Sequence, residues 1–154
     1  MTGKHLSGLV LFKTMPDSSL RIVFTNEAGV KFFDFGFLPD GSFKAYSVIK
    51  QLNKKPVVKT LQQDFELILM RKVGRETPSI YHDGNHLKFG FEGKKNTDYV
   101  VTDMDCGRLI QLEKANGNDS KTKATLFGQT STPDSILVKH LTFNMEIKLK
   151  KLNR

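Results

Sequence analysis

Residues 56–70, PVVKTLQQDFELILM, constrain the fold most, because they hold the one convincing helical pattern in a chain otherwise written as strands. Val57, Leu61, Phe65 and Ile68 recur at helical spacing as one apolar stripe, and Val58 and Leu69 widen it. Pro56 suits a first helical position, where a missing N–H is harmless, and Asn53 stands where a cap is expected. Lys59, Gln62, Gln63 and Glu66 occupy the opposite side, which therefore meets water. At about 1.5 Å per residue the segment is roughly 22 Å long, comparable to the width of a small sheet.

The flanking sequence alternates at period two. Residues 5–13 (HLSGLVLFK), 20–25, 30–38 and 43–49 read as four strands joined by turns, with Gly8 a bulge or a point of close approach. In the third of these, Phe33, Phe35 and Phe37 share one face, and Phe32, Asp34 and Gly36 the other. Beyond the helix, Asp83-Gly84 and Asn116-Gly117 mark hairpin turns. Leu141, Phe143, Met145, Ile147 and Leu149 alternate with His140, Thr142, Asn144, Glu146 and Lys148, which predicts one long final strand. Ile136 and Val138 run in the opposite phase, so a break is expected near Lys139. The reading gives nine or ten strands and one helix. Without a repeat or an internal linker, residues 1–154 are expected to be a single domain, long enough to bury a core.

Composition excludes several classes. A hydrophobic content of 38% with 12 Phe is too apolar for a disordered chain. No apolar run approaches the roughly 18 residues that span a bilayer. The opening MTGKHLSG carries no leader pattern, so the chain is expected either to be cytoplasmic or to follow a removed leader. The single Cys106 excludes an internal disulfide. The net charge of +8 is concentrated at the end, where Lys148, Lys150, Lys151 and Arg154 are unaccompanied by an acid. A nucleic-acid module using this tail would lose affinity steeply with salt, but elsewhere the charge is interspersed and not gathered in a groove-sized patch, so no nucleic-acid partner is expected. Anionic lipid headgroups are the other natural counterpart.

The inventory of reactive groups is thin, and neither GxSxG, HExxH, GxGxxG nor a P-loop occurs. His82 and His86 flank the Asp83-Gly84 turn, either as two exposed polar residues or as a weak metal site. Asp103 and Asp105 form a DxD in a loop, and Cys106 beside them has no identifiable histidine partner. An enzyme built on His82, His86 and Asp103 requires those three to meet in space. Asp64, near the apolar side of the helix, reads as hydrogen-bonded and structural. We therefore expect no enzymatic activity, no metal and no cofactor.

Apolar residues are abundant instead, and the strand around Phe32, Phe33, Phe35 and Phe37 is apolar on both sides, so it must be covered twice. A mainly β (α+β) architecture meets this need: a strongly curved antiparallel sheet, an unclosed β-barrel, wrapped around the amphipathic helix. Its hydrophobic interior is assigned to Phe24, Phe33, Phe35, Phe37, Leu61, Phe65, Phe143 and Met145. That interior is either fully packed or holds an acyl chain, whose buried CH₂ groups each contribute about 0.8 kcal/mol.

The order of elements carries a resemblance. The segments SGLVLFK, LRIVFTN, GVKFFDFGF and FKAYSVI, then the helix, then strands ending in FNMEIKLKKL, resemble the LolA/LolB class of bacterial lipoprotein-handling domains. GKHLSGLVLFK with RIVFTNEAGVKFFDFGF is also similar to uncharacterised lipoproteins of the bacterial cell envelope. The resemblance implies an unclosed half-barrel whose hollow receives a lipid or lipoprotein acyl chain. It also implies a place at the periplasmic face of the outer membrane, through an N-terminal lipid anchor preceding this sequence. It departs from that class in lacking a helix before the first strand and in having one lid helix. Its candidate insertion loop, residues 37–41, is short. The alternative is a structural or adaptor lipoprotein domain with a solid core that docks a protein partner.

Overall fold

The computed structural model describes residues 5–75, 77–128 and 132–152; Arg154 of the basic tail and the opening residues 1–4 lie outside them. The chain is mainly β, with two antiparallel sheets of four and seven strands and one helix, and neither sheet closes into a barrel. It divides into two compact units, Met1–Gln62 and Gln63–Arg154.

The first unit holds β1 (Leu9–Thr14), β2 (Leu20–Thr25), β3 (Lys31–Phe37) and β4 (Phe43–Val48), a meander in the order β1-β2-β3-β4. Its turns are closed by short polar side chains. The Asp17 carboxylate accepts from Ser19 N at 2.9 Å, the Asn26 side chain from Val30 N at 2.8 Å, and Asp40 from Ser42 N at 2.9 Å. At Gly8 a side chain would run into the Thr25 backbone, the close approach expected from the sequence.

The helix α1 (Lys55–Ile68) crosses the boundary between the units. Its first bond runs from Val58 N to Lys54 O at 3.0 Å, so the cap position is Lys54 and not Asn53. It ends with Met70 at φ 50°, where Met70 N donates to Leu67 O and Arg71 N to Glu66 O, both at 3.0 Å. That is a Schellman closure with methionine in the place glycine usually takes.

The second unit holds β5 (Ser79–Asp83), β6 (His86–Glu92), β7 (Thr97–Asp103), β8 (Leu109–Asn116), β9 (Asp119–Phe127), β10 (Ser135–His140) and β11 (Glu146–Lys150). Each pairs with the next in one antiparallel meander. The Asp83-Gly84 and Asn116-Gly117 turns form as expected, with Asp83 paired to His86 and Asn116 to Asp119. One expectation fails here. Residues 141–149 are not a continuous strand, because the chain reverses after His140 and returns as β11. His140 N donates to Met145 O across the turn at 3.2 Å. Leu141 and Phe143 therefore belong to the turn, and only Ile147 and Leu149 of the expected apolar row lie in a strand. The core of this sheet is Leu67 of α1 with Leu112, Ala124, Leu126 and Val138.

Candidate functional site

In the first unit the registers align Phe24 with Phe33, Ile22 with Phe35, Leu20 with Phe37, and Phe37 with Phe43, so one face of the sheet is largely aromatic. Phe33 and Phe35 stack with centroids 4.3 Å apart, Phe43 meets Phe35 edge-on at 5.1 Å, and Phe24 lies 5.5 Å from Phe33. A bulge beside Phe24 skips Phe32 in the pairing, and the Phe32 ring sits 4.8 Å from that of Phe24. Phe33, Phe35 and Phe37 are buried, Phe24 is half-buried, and Leu61 of α1 is buried. The aromatic face runs out to β1, where Val10 and Phe12 pair with Phe24 and Ile22 and Phe12 is 44% exposed, while the exposed Leu9 and Leu11 belong to the opposite face of the sheet. β1 is the edge strand of this sheet, and among the described residues no strand pairs with its outer side.

The opposite face of β3 is also covered, but by side chains of its own sheet. Arg21 grips Asp34 through Nε at 2.9 Å and through Nη2 at 2.7 Å to each carboxylate oxygen, and Lys31 Nζ adds a contact at 3.1 Å. Tyr46 lies over the Arg21 guanidinium, 3.8 Å from Cζ to the ring centroid, and rests on Gly36. A Cβ at Gly36 would stand 2.7 Å from the Tyr46 ring, so this close approach requires glycine. Burial pushes the Asp34 pKa up most strongly, but the hydrogen bonds and charges of Arg21 and Lys31 together outweigh it and hold the group below its ordinary value. With both oxygens engaged, Asp34 is a structural anion.

The second unit hides a polar row inside its sheet. Asp98, Lys114, Thr122 and His140 are successive cross-strand partners on β7, β8, β9 and β10. All four are buried. Lys114 and Lys72 both reach Asp98 Oδ1, at 3.2 and 3.3 Å. His140 Nε2 lies 2.9 Å from Asp64 Oδ2, and Nδ1 lies 3.4 Å from Thr122 Oγ1, while Phe143 stacks on the imidazole at 4.5 Å. Desolvation raises the Asp64 pKa, opposed by the hydrogen bond and charge of His140 and by the charge of Lys114. The order Asp–His–Thr is that of a proton relay, but both imidazole nitrogens are engaged and the hydroxyl is buried. The row therefore serves as a hydrogen-bonded part of the core. Sequence reading missed His140, Lys114, Asp98 and Thr122, as well as Leu67. The phase shared by Ile136, Val138 and His140 was the available signal for an inward His140.

The residues weighed for catalysis do not converge. Asp103 pairs across the strands with His86, whereas His82, adjacent to Asp83, points to the other side of the hairpin. Asp103 Oδ1 instead accepts from Gly107 N at 2.9 Å and closes the loop that carries Cys106, an exposed thiol at φ 56°. Among the described residues, no group of three or more His, Cys, Asp or Glu is placed to hold a metal ion. Of the residues assigned to a hydrophobic interior, Phe24, Phe33, Phe35 and Phe37 share the aromatic face of the first unit. Phe65, Phe143 and Met145 belong to the second unit. Phe65 is buried and Met145 half-buried, but Phe143 is 48% exposed because the turn carries it outward over His140. Among the described residues, no helix is long and apolar enough to cross a membrane. Comparison with protein-family models, curated proteins and solved structures finds no match to this chain.

Proposed function

We propose that the chain is a non-enzymatic, LolA/LolB-like domain that binds a lipid or lipoprotein acyl chain at the bacterial envelope. In this reading a curved sheet wraps α1 as an unclosed half-barrel, and an N-terminal lipid holds the domain at the periplasmic face of the outer membrane. The observation that supports it is the aromatic face of the first unit, continued on the β1 edge by the half-buried Val10 and the exposed Phe12. Exposed apolar side chains next to a packed aromatic face are suited to a flexible hydrocarbon, which needs area and no hydrogen bonds.

A fluorescent fatty acid titrated into the full chain tests this. Saturable binding is expected, and shortening the hydrocarbon by two CH₂ groups should weaken it by about 15-fold, since each buried CH₂ contributes about 0.8 kcal/mol. Absence of saturable binding by the folded chain rejects the acyl reading. It leaves the adaptor reading, which one feature favours: β1 is an apolar edge strand open to pairing with a strand of a protein partner.

A further inference from the structure

The outward face of β9, β10 and β11 is a regular grid. Lys123, Lys139 and Glu146 form one cross-strand row, Thr125, Leu137 and Lys148 the next, and Phe127, Ser135 and Lys150 the third. Four lysines thus stand within about 10 by 14 Å, given strand spacing and residue rise, against the single acid Glu146. Lys123, Lys139, Lys148 and Lys150 are exposed, and among the described residues none of them forms an ion pair. Glu113 of β8, directly opposite Lys123 at the border of the grid, has its ion pair with Lys88, at 3.6 Å. Lys123 stands directly opposite Lys139, and the row continues to Glu113 of β8 on one side and Glu146 of β11 on the other.

We propose that this face of β9–β11 is a docking surface for the anionic headgroups of a lipid bilayer. Charge complementarity names the partner's sign, and the apolar members of the grid name its kind. Phe127 is 49% exposed at the rim of the lysines, and Leu137 lies between them, so hydrocarbon and cation are presented together, as at a bilayer interface. A single-stranded nucleic acid needs successive stacking rings along the basic area, and Phe127 is the one ring in the grid. Tyr99 of β7 shares this face in the row of Lys123, two strands from it, and Tyr81 is on β5. Lys88 Nζ sits 4.3 Å over the Tyr99 ring, and Tyr81 meets Tyr99 edge-on. The grid is made of residues of the second unit and the aromatic face of residues of the first, so the proposal stands or falls independently of acyl-chain binding.

The test is co-sedimentation of the full chain with phosphatidylcholine vesicles, with and without one third phosphatidylglycerol. Binding to the phosphatidylglycerol vesicles is expected, weakened by added salt, with none to phosphatidylcholine alone. Neutralising two lysines in K123Q/K139Q should reduce partitioning by about 30-fold, roughly fivefold for each charge removed. Its thermal midpoint should stay close to that of the unmodified chain, since the like-charge pair removed is offset by the loss of the cross-strand neighbours of Glu113 and Glu146. K148Q/K150Q, on the edge strand, should show a similar loss, and F127S should weaken binding without changing its salt dependence. Equal binding to neutral vesicles overturns the proposal, and so does undiminished binding by both double variants. Binding of a DNA or RNA oligonucleotide through these lysines, with none to the vesicles, overturns it in favour of a nucleic-acid surface.

Discussion

Asp64 and His140 show how a single buried pair can be costly to break and cheap to replace. Each satisfies the other at 2.9 Å in a site closed to water. Replacing His140 alone with leucine leaves a buried carboxyl without its main partner and should cost about 2–3 kcal/mol by denaturant unfolding. The double variant D64L/H140L should recover most of that loss, because an apolar pair of similar volume needs no partner. Asp34 sets the acid side of the stability profile. Its folded pKa lies below the ordinary value, so its contribution is present above the unfolded carboxylate pKa and is lost as pH falls through the folded one. D34N should cost about 2–3 kcal/mol near neutral pH, below the roughly 3–5 kcal/mol of a fully buried pair because Arg21 is partly exposed. Its stability should also fall less than that of the unmodified chain on acidification below about pH 4, measured by urea unfolding across pH.

At the scale of elements, the end of α1 invites improvement. Met70 holds φ 50°, a region that side chains with a Cβ enter at a cost, and it is exposed, so little packing is lost on truncation. Met70→Gly should raise stability by about 1 kcal/mol, seen as a higher urea midpoint with unchanged slope. Most elements were legible because their signals are local. The helix stripe, the Asn116-Gly117 and Asp83-Gly84 turns and the alternation of Phe33, Phe35 and Phe37 each depend on neighbours in sequence. What escaped depended on partners far along the chain. The reversal after His140 interrupts an alternation that continues unbroken through the turn, and nothing local distinguishes that from one long strand. The strand was expected to need cover on both sides, and on its far side Arg21 and Tyr46 of the same sheet supply it.

Across the whole chain, the β class and the lone helix followed from periodicity, whereas the division into four- and seven-stranded sheets did not. Alternation marks a residue as lying in a strand and says nothing about which sheet that strand joins. The aromatic face was legible as a set, since four of its phenylalanines alternate within two short segments. The polar row of the second unit was invisible, because Asp98, Lys114, Thr122 and His140 come together only through register. Acyl binding requires that the first unit offer hydrocarbon a surface. The direct measurement is an amide and methyl NMR titration of the full chain with a medium-chain fatty acid below its micelle concentration. Saturable shifts confined to β1, β2 and β3, and abolished by Phe12→Asp at the exposed edge in a variant that keeps its fold, are the expected result. Absence of saturable shifts, or shifts scattered over the surface and indifferent to that substitution, would contradict it.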